Sequence, residues 1–179
     1  MSRETVVRGH VWMITGPDGK LLCDIDTDQI YHNAHLAVTD IKEMGKYAFG
    51  NLAGWKDFPQ KSKAGDILFV GCNFGAGSSR HQAVDCFRAL GITALIGESF
   101  GAIYKRNAIN AGFPIITCPG IGDIGIKNGD TIEVDYASGA ILCLCGCNAA
   151  MKGEPFTQVQ MEIFQAGNLF AYGKKLGKK

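Results

Sequence analysis

Apolar and polar positions change period along this chain, and the changes predict a mixed α/β order. Val6 to Ile14 alternates weakly and reads as a strand, closed by the turn residues Gly16-Pro17-Asp18-Gly19. Leu21 to Ile25 reads as a second short strand running into Asp26-Thr27-Asp28-Gln29-Ile30. Thr39 or Asp40 can cap a helix through Tyr47, with Ile41, Met44 and Ala48 at helical spacing. Ile67 to Gly71 is a continuous apolar run suited to a buried strand. A glycine-rich loop, Cys72 to Arg80, comes next. His81 to Leu90 then carries Ala83, Val84, Phe87 and Leu90 on one helical stripe, with Gly91 as its stop.

Ile92 to Ile96 is a further buried strand, and Ser99 is placed to cap a helix running to about Ala111. Ile115 to Thr117, Thr131 to Val134 and Ala140 to Leu144 read as later strands. Pro155 in a first turn and Phe156 to Ala166 predict a closing helix, and Lys174 to Lys179 a frayed basic tail. Strand–helix alternation in the middle, with strands at both ends, predicts one mixed α/β domain over residues 1–179.

Composition narrows the function classes. Of 179 residues 46% are apolar, enough for a sizeable core. Lys and Arg total 18 against 17 Asp and Glu, so there is no electrostatic footprint for nucleic acid or an anionic membrane. No apolar run reaches the ~20 residues of a membrane span, and the first residues do not read as a signal peptide, so a soluble cytoplasmic protein is expected. The seven cysteines are odd in number, form no CxxC pair, and are expected to stay reduced. Cys143-Leu-Cys145-Gly-Cys147 reads either as a small-residue strand or as a thiolate metal site.

The candidate chemistry lies in the loop. A strand, a glycine-rich loop and a helix start together favour anions, because glycines allow close approach and helix-start N–H groups point outward. Ser78, Ser79 and Arg80 bring two hydroxyls and a guanidinium to that point, and a guanidinium pairs a carboxylate through two parallel bonds. The glycines do not follow GxGxxG order and no GxxxxGK[ST] lysine is present. A phosphate site, or Ser79 as a plain N-cap with Arg80 solvated, are the competing readings. Asp28 reads as a turn or N-cap residue or as one lining the site. His32 and His35 are candidate rim residues, and Lys105 and Arg106 read as solvated or partner-facing.

Gly71-x-Asn73-Phe74-Gly75-x-Gly77-Ser78-Ser79-Arg80, then Glu98-Ser99-Phe100 and Arg106-Asn107-Ala108, resembles the swivelling domain of the aconitase superfamily. The likeness extends to Asp26-Thr27-Asp28-Gln29-Ile30 and to Glu162–Gly167, and is nearest to the separate small subunits of isopropylmalate dehydratase and its relatives. The resemblance implies a layered β/β/α fold and a hydro-lyase acting on a small hydroxy di- or tricarboxylic acid. It also implies a [4Fe–4S] cluster on an aconitase-type large subunit, with no cofactor or metal on this chain. By the same resemblance Ser78 is the base, and Ser79 and Arg80 hold a substrate carboxylate.

Two departures stand out. His81-Gln82 replaces the family's Glu-His after the arginine, removing an acidic neighbour of Arg80. In the loop that the resemblance links to specificity, His35-Leu36-Ala37-Val38 replaces Tyr-Leu-Arg-Thr, so Ala37 stands where isopropylmalate enzymes carry arginine. Isopropylmalate, a dimethylated malate and homocitrate all stay open as substrates. Against the enzyme reading stand two others: an anion-binding module without chemistry, using Gly75 to Arg80, and a thiol-based metal or redox protein.

Overall fold

The computed structural model describes residues 2–146 and 149–177. Its seven strands form one sheet, in the order β4-β3-β2-β1-β5-β6-β7. The central strand, β1 (Val6–Met13), has two kinds of partner. Val11 to Met13 pair in parallel with β2 (Ile67–Val70), which continues to β3 (Ala94–Gly97) and β4 (Ile115–Thr117). Val6 to His10 pair antiparallel with β5 (Thr131–Asp135), which leads to β6 (Ala140–Cys143) and β7 (Ala150–Lys152). The exchange occurs beside Gly9, where a Cβ would lie 2.0 Å from the Gly65 carbonyl oxygen. Only glycine lets the backbones pass so closely.

The short helices α1 (Thr27–Ile30), α2 (Ile41–Met44) and α3 (Phe58–Lys61) lie in the long β1–β2 connection. Helices α4 (Gln82–Ala89) and α5 (Ala102–Asn110) make the β2–β3 and β3–β4 crossovers. Covered on both faces, β2 and β3 are buried at every residue. Alternate residues point to opposite faces. Leu68, Val70 and Leu95 pack toward the helices, against Val84 and Phe87 of α4 and Tyr104 and Ala108 of α5. Ile67, Phe69 and Ile96 face the other way and meet Ile132, Val134 and Ile141 of the antiparallel half, with Tyr136, Phe156 and Phe164 closing that layer. The result is the expected β/β/α layering.

Several local expectations are corrected. Leu21 to Ile25 form no strand; an isolated bridge joins Thr15 and Leu21, the Leu22 N–H donates to the Ile14 carbonyl, and Asp24 and Ile25 bond the backbone of the glycine-rich loop. Ser99 does not cap α5. That helix starts after Gly101 without a side-chain cap, and the Ser99 hydroxyl accepts from the Asn73 N–H. The closing helix α6 (Gln158–Ala166) starts two residues later than expected, because the Thr157 hydroxyl accepts from the Gln160 N–H. Phe156 is thereby freed to pack in the core. A further helix, α7 (Leu169–Leu176), has no counterpart among the expected elements; Asn168 caps it, and Lys174 and Lys175 occupy its last turn, where cations suit the dipole. The basic tail is therefore helical to Leu176.

Phe87 is fully buried, with ring centroids 5.1 Å from Phe49 and 6.4 Å from both Phe58 and Phe74. Phe87→Ala is expected to cost about 3–5 kcal/mol. Urea unfolding should show this as a lower midpoint with an unchanged slope.

Candidate active site

The loop after β2 is threaded between two other stretches of backbone. On one side the Gly75 N–H donates to the Ile25 carbonyl (2.7 Å), and the Thr27 N–H to the Ala76 carbonyl (2.9 Å). On the other, the Phe74 N–H donates to the Ser99 carbonyl (3.1 Å), and the Gly101 N–H to the Phe74 carbonyl (2.9 Å). Phe74 is buried and packs edge-on against Tyr104, centroids 5.3 Å apart. Gly75 has φ +77°, and a Cβ there would fall 2.2 Å from the Tyr104 ring. Hydrogen bonds on both edges and a buried aromatic make this segment a fixed mount for Ser78-Ser79-Arg80.

Each member of that triplet has a partner. The Ser78 hydroxyl lies 3.3 Å from that of Thr27, which is 3% exposed. The Ser79 hydroxyl accepts from the side-chain amide of Asn107 (3.2 Å), buried on α5. Arg80 donates through one terminal nitrogen to Asp28 Oδ1 (2.5 Å) and to the Tyr31 carbonyl (3.1 Å). Ser78 and Ser79 are exposed, while the Arg80 side chain is 17% exposed. The triplet thus presents two hydroxyls at an open face with a guanidinium anchored beneath them. Helix α4 begins only at Gln82, with His81 in the cap position, so Ser79 is not an N-cap.

Asp28 is the acidic partner of Arg80. It sits on α1, which a reciprocal capping box between Asp26 and Gln29 starts. Besides Arg80, its carboxylate accepts from the Asn33 N–H (3.0 Å) and the Asn51 amide (3.0 Å), with His32 Nε2 at 3.9 Å. The bond from Arg80 holds the Asp28 carboxyl below its ordinary range, against an opposing push from desolvation.

The run His35-Leu36-Ala37-Val38 leaves a 3₁₀ turn, Asn33–His35. His35 stacks on Tyr47 at 3.9 Å, and its carbonyl accepts from the Tyr31 hydroxyl, whose pKa burial raises to about 12. The Leu36 carbonyl accepts from Gln82 (3.5 Å), two residues beyond Arg80. Val38 packs against the core, so Leu36 and Ala37 are held at both ends and exposed beside the start of α4. His32 caps the 3₁₀ turn through Nδ1, and so serves the loop's shape as well as lying near Asp28. Lys105 is tied to Thr117 and Glu154, away from the triplet, and Arg106 is exposed.

Thr27 and Asn107 do not stand out from the sequence as site residues. The signal for Asn107 is a polar residue on the apolar face Tyr104–Ala108–Ala111. Thr27 is a hydroxyl flanked by two carboxylates, with no local indication of its burial.

The cysteines fall into close pairs that local pattern does not show. Cys23 lies against Cys72 and Cys143 against Cys145, close enough for disulfides, while Cys86 and Cys118 are free and buried. Strand β6 ends at Cys143, so the alternating-sulfur strand is not formed beyond it, and Cys147 lies outside the described residues. Sulfurs gather only in pairs among the described residues, each pair with one carboxylate: Glu98 in one case, Asp130 in the other. A cubane cluster takes Cys₄-type ligation, which neither group offers. Among the described residues no helix is long and apolar enough to cross a membrane.

A β/β/α-layered sheet presenting Ser-Ser-Arg on the loop after its second strand defines a swivelling domain of aconitase type. The aconitase C-terminal domain family matches residues 24–119, and this chain belongs to it. It is 37% identical to the isopropylmalate/citramalate isomerase small subunit of Methanocaldococcus jannaschii, over 96% of this chain and 95% of that one. It is 38% identical, over 91% and 92%, to the methanogen homoaconitase small subunit of the same organism. A crystal structure described as a 3-isopropylmalate dehydratase from that organism superposes with a TM-score of 0.83 at 35% identity, covering 97% of this chain and 96% of the other.

The Asp28–Arg80 pair has a defined pH signature. Because the Asp28 pKa is lowered, the pair's contribution is fully present above the unfolded carboxylate value of about 3.9, and is lost as pH falls through the lowered folded value. Carboxyl NMR titration should find Asp28 ionising below that ordinary value, and Arg80→Gln should return it upward. An unchanged Asp28 titration in the variant would remove Arg80 as the cause.

Proposed function

We propose that this chain is the small subunit of a two-subunit hydro-lyase that dehydrates and rehydrates a small hydroxy di- or tricarboxylic acid. The observation carrying the reading is the exposed Ser78-Ser79-Arg80 triplet, each residue separately positioned, in a chain collinear with small subunits of such enzymes. Ser78 is the base that takes the proton from the carbon beside a substrate carboxylate. Ser79 and the remaining N–H groups of Arg80 hold that carboxylate, with Asp28 and Asn107 keeping them aligned. Thr27 orients the Ser78 hydroxyl and can donate to its oxygen once the proton has gone.

An exposed serine hydroxyl is far too weak an acid to serve alone at neutral pH. Its alkoxide needs fixed donors in a site from which water is shut out. Ser78 lies at an open face here, so the site is a half-site, and the other half belongs to a large subunit that closes over it. That subunit is also where an iron–sulfur cluster belongs, to assist departure of the hydroxyl by Lewis acidity. Loss of a general base commonly costs ~10²–10⁴-fold in rate. In the reconstituted enzyme Ser78→Ala should lower kcat on that scale with little change in KM, while Ser79→Ala and Arg80→Lys should raise KM. The chain alone should show no turnover. Wild-type kcat in Ser78→Ala would remove Ser78 as the base, and a substrate that binds but never turns over with any partner would favour the anion-binding module.

Which acid is used is a separate matter, because relatives at nearly equal identity are named as an isopropylmalate/citramalate isomerase and a homoaconitase. Our reading gives the common carboxylate to the triplet and the variable end of the substrate to the exposed Leu36-Ala37 stretch. Alanine at 37 leaves room and offers no charge, which suits a small methylated end. Ala37→Arg should therefore change relative kcat/KM among isopropylmalate, a dimethylated malate and homocitrate, penalising the smallest most. Equal factors on all three would move the loop's role to subunit docking or stability.

A further inference from the structure

Cys23 and Cys72 meet where two backbones pass closely beside the glycine-rich loop. A Cβ at Gly71 would lie 2.5 Å from the Leu22 carbonyl oxygen and 3.0 Å from Cys23 Sγ. The Asp24 N–H donates to the Cys72 carbonyl (2.9 Å), and the Cys72 N–H to Cys23 Sγ (3.1 Å). The Cα atoms are 4.6 Å apart, inside the range that a disulfide spans without backbone movement. Asp24 (φ 57°) and Asn73 (φ 54°), each next to one of the cysteines, hold left-handed backbone although neither is glycine. The Asn73 amide donates to the Asp24 carboxylate at 2.7 Å across the pair. Backbone and side-chain bonds therefore hold the two sulfurs together independently of the bond between them.

Accessibility separates this pair from the other described thiols in the core. Cys23 is exposed and Cys72 half-buried, whereas Cys86 and Cys118 are buried. The link also has a place in the site. Cys72 opens the segment that ends in the triplet, and Cys23 leads into the stretch carrying Thr27 and Asp28, the partners of Ser78 and Arg80.

We propose that Cys23 and Cys72 form a reversible thiol–disulfide site, oxidised by a small-molecule disulfide of the glutathione type, that sets the stiffness of the loop carrying Ser78. The Cys23 thiolate attacks the small disulfide, forming a mixed disulfide and expelling one small thiolate. The Cys72 thiolate then attacks Cys23 Sγ, closing the Cys23–Cys72 bond and expelling the second. The two protein thiol protons end on the two small thiols, so two protein thiols and one small disulfide give one protein disulfide and two small thiols. The closed link joins residues 49 apart in sequence and ties the loop to the segment that positions its functional groups.

The test uses the full chain, fully reduced under anaerobic conditions and then equilibrated with reduced and oxidised glutathione in graded ratios. Remaining thiols are alkylated, and the state of each cysteine is read by peptide mass mapping, which also follows Cys143 and Cys145 separately. Cys23 and Cys72 should disappear together as one linked peptide pair, leaving Cys86 and Cys118 free. Linking should raise the melting temperature by roughly 5–10 °C, and slow amide exchange at residues 73–78. Cys72→Ser should instead retain a glutathione adduct on Cys23. Should that variant not fold, the reduced and oxidised wild-type chains still give the comparison. Both thiols remaining alkylatable in excess oxidised glutathione would overturn the proposal. So would zinc retained stoichiometrically by Cys23, Cys72 and Glu98 and blocking exchange. Equal amide exchange at residues 73–78 in the two redox states would overturn the claimed effect on the loop.

Discussion

The architecture turns on one strand holding two incompatible neighbours. Over its eight residues β1 pairs antiparallel with β5 and then in parallel with β2. The sheet must curl for this to happen, because parallel strands need helical crossovers on a face while the antiparallel meander needs none. Gly9 permits the exchange by letting the Gly65 carbonyl oxygen occupy the volume of a Cβ. Curling brings the inner faces of the two halves together, so Ile67, Phe69 and Ile96 are covered chiefly by Ile132, Val134 and Ile141, with Phe164 of α6 closing the layer. Helices α4 and α5 cover the other face. That division fixes where β2 ends and the glycine-rich loop begins.

The loop inherits its rigidity from this arrangement. Parallel strands deliver their C-terminal ends side by side, so the segments after β2 and β3 emerge together, and the loop takes a backbone bond from each side as a short irregular strand. The 24–27 stretch supplies the opposite edge, and in doing so presents Thr27 and Asp28 to the triplet. A site assembled from three separate segments owes its precision to backbone pairing, and individual side-chain contacts then select among positions already close together. Ser78 and Ser79 receive one partner each, from opposite sides of the loop, which keeps the two hydroxyls from pairing with each other.

Much of this was legible where a single physical signal dominates. Short unbroken apolar runs such as Ile67 to Val70, bounded by turn residues, suit strands covered on both faces, and the stripe ending at Gly91 is an amphipathic helix with its stop. The triplet and the motifs around it stood out as the candidate site. What stayed hidden depends on contacts between residues distant in sequence. Leu21 to Ile25 has the apolar content of a strand, but the backbone partners of Asp24 and Ile25 are loop residues about 50 positions away, so local pattern misnames it. Ser99 has the chemistry of a cap and spends it on Asn73. Arg80 pairs with Asp28 from another segment, a contact that spacing along the chain does not reveal. Cysteine pairing obeys the same rule, since a Cα approach of 4.6 Å between positions 23 and 72 exists only once the loop is threaded.

The exposure of the triplet bears on why such an enzyme would be built from two chains. A serine base needs a dry, donor-rich site only while it is ionised, and a substrate of two or three carboxylates needs water and space to enter. Both demands cannot be met by a permanently closed pocket. On the roles proposed for Ser78, Thr27, Ser79 and Arg80, placing all four on a rigid face of one chain keeps their mutual geometry constant. The transition between wet and dry is then assigned to the approach of the other chain. The Thr27–Ser78, Asn107–Ser79 and Asp28–Arg80 contacts all lie within this one chain, so the triplet is positioned before any partner arrives. The neighbouring Leu36-Ala37 stretch, to which we assign the variable part of recognition as a proposal, is held at both ends but exposed, so substitution there need not disturb the Ser78-Ser79-Arg80 contacts. Relatives that share this domain at 37–38% identity and differ in the acid they are named for are what such a separation between fixed chemistry and adjustable fit would produce.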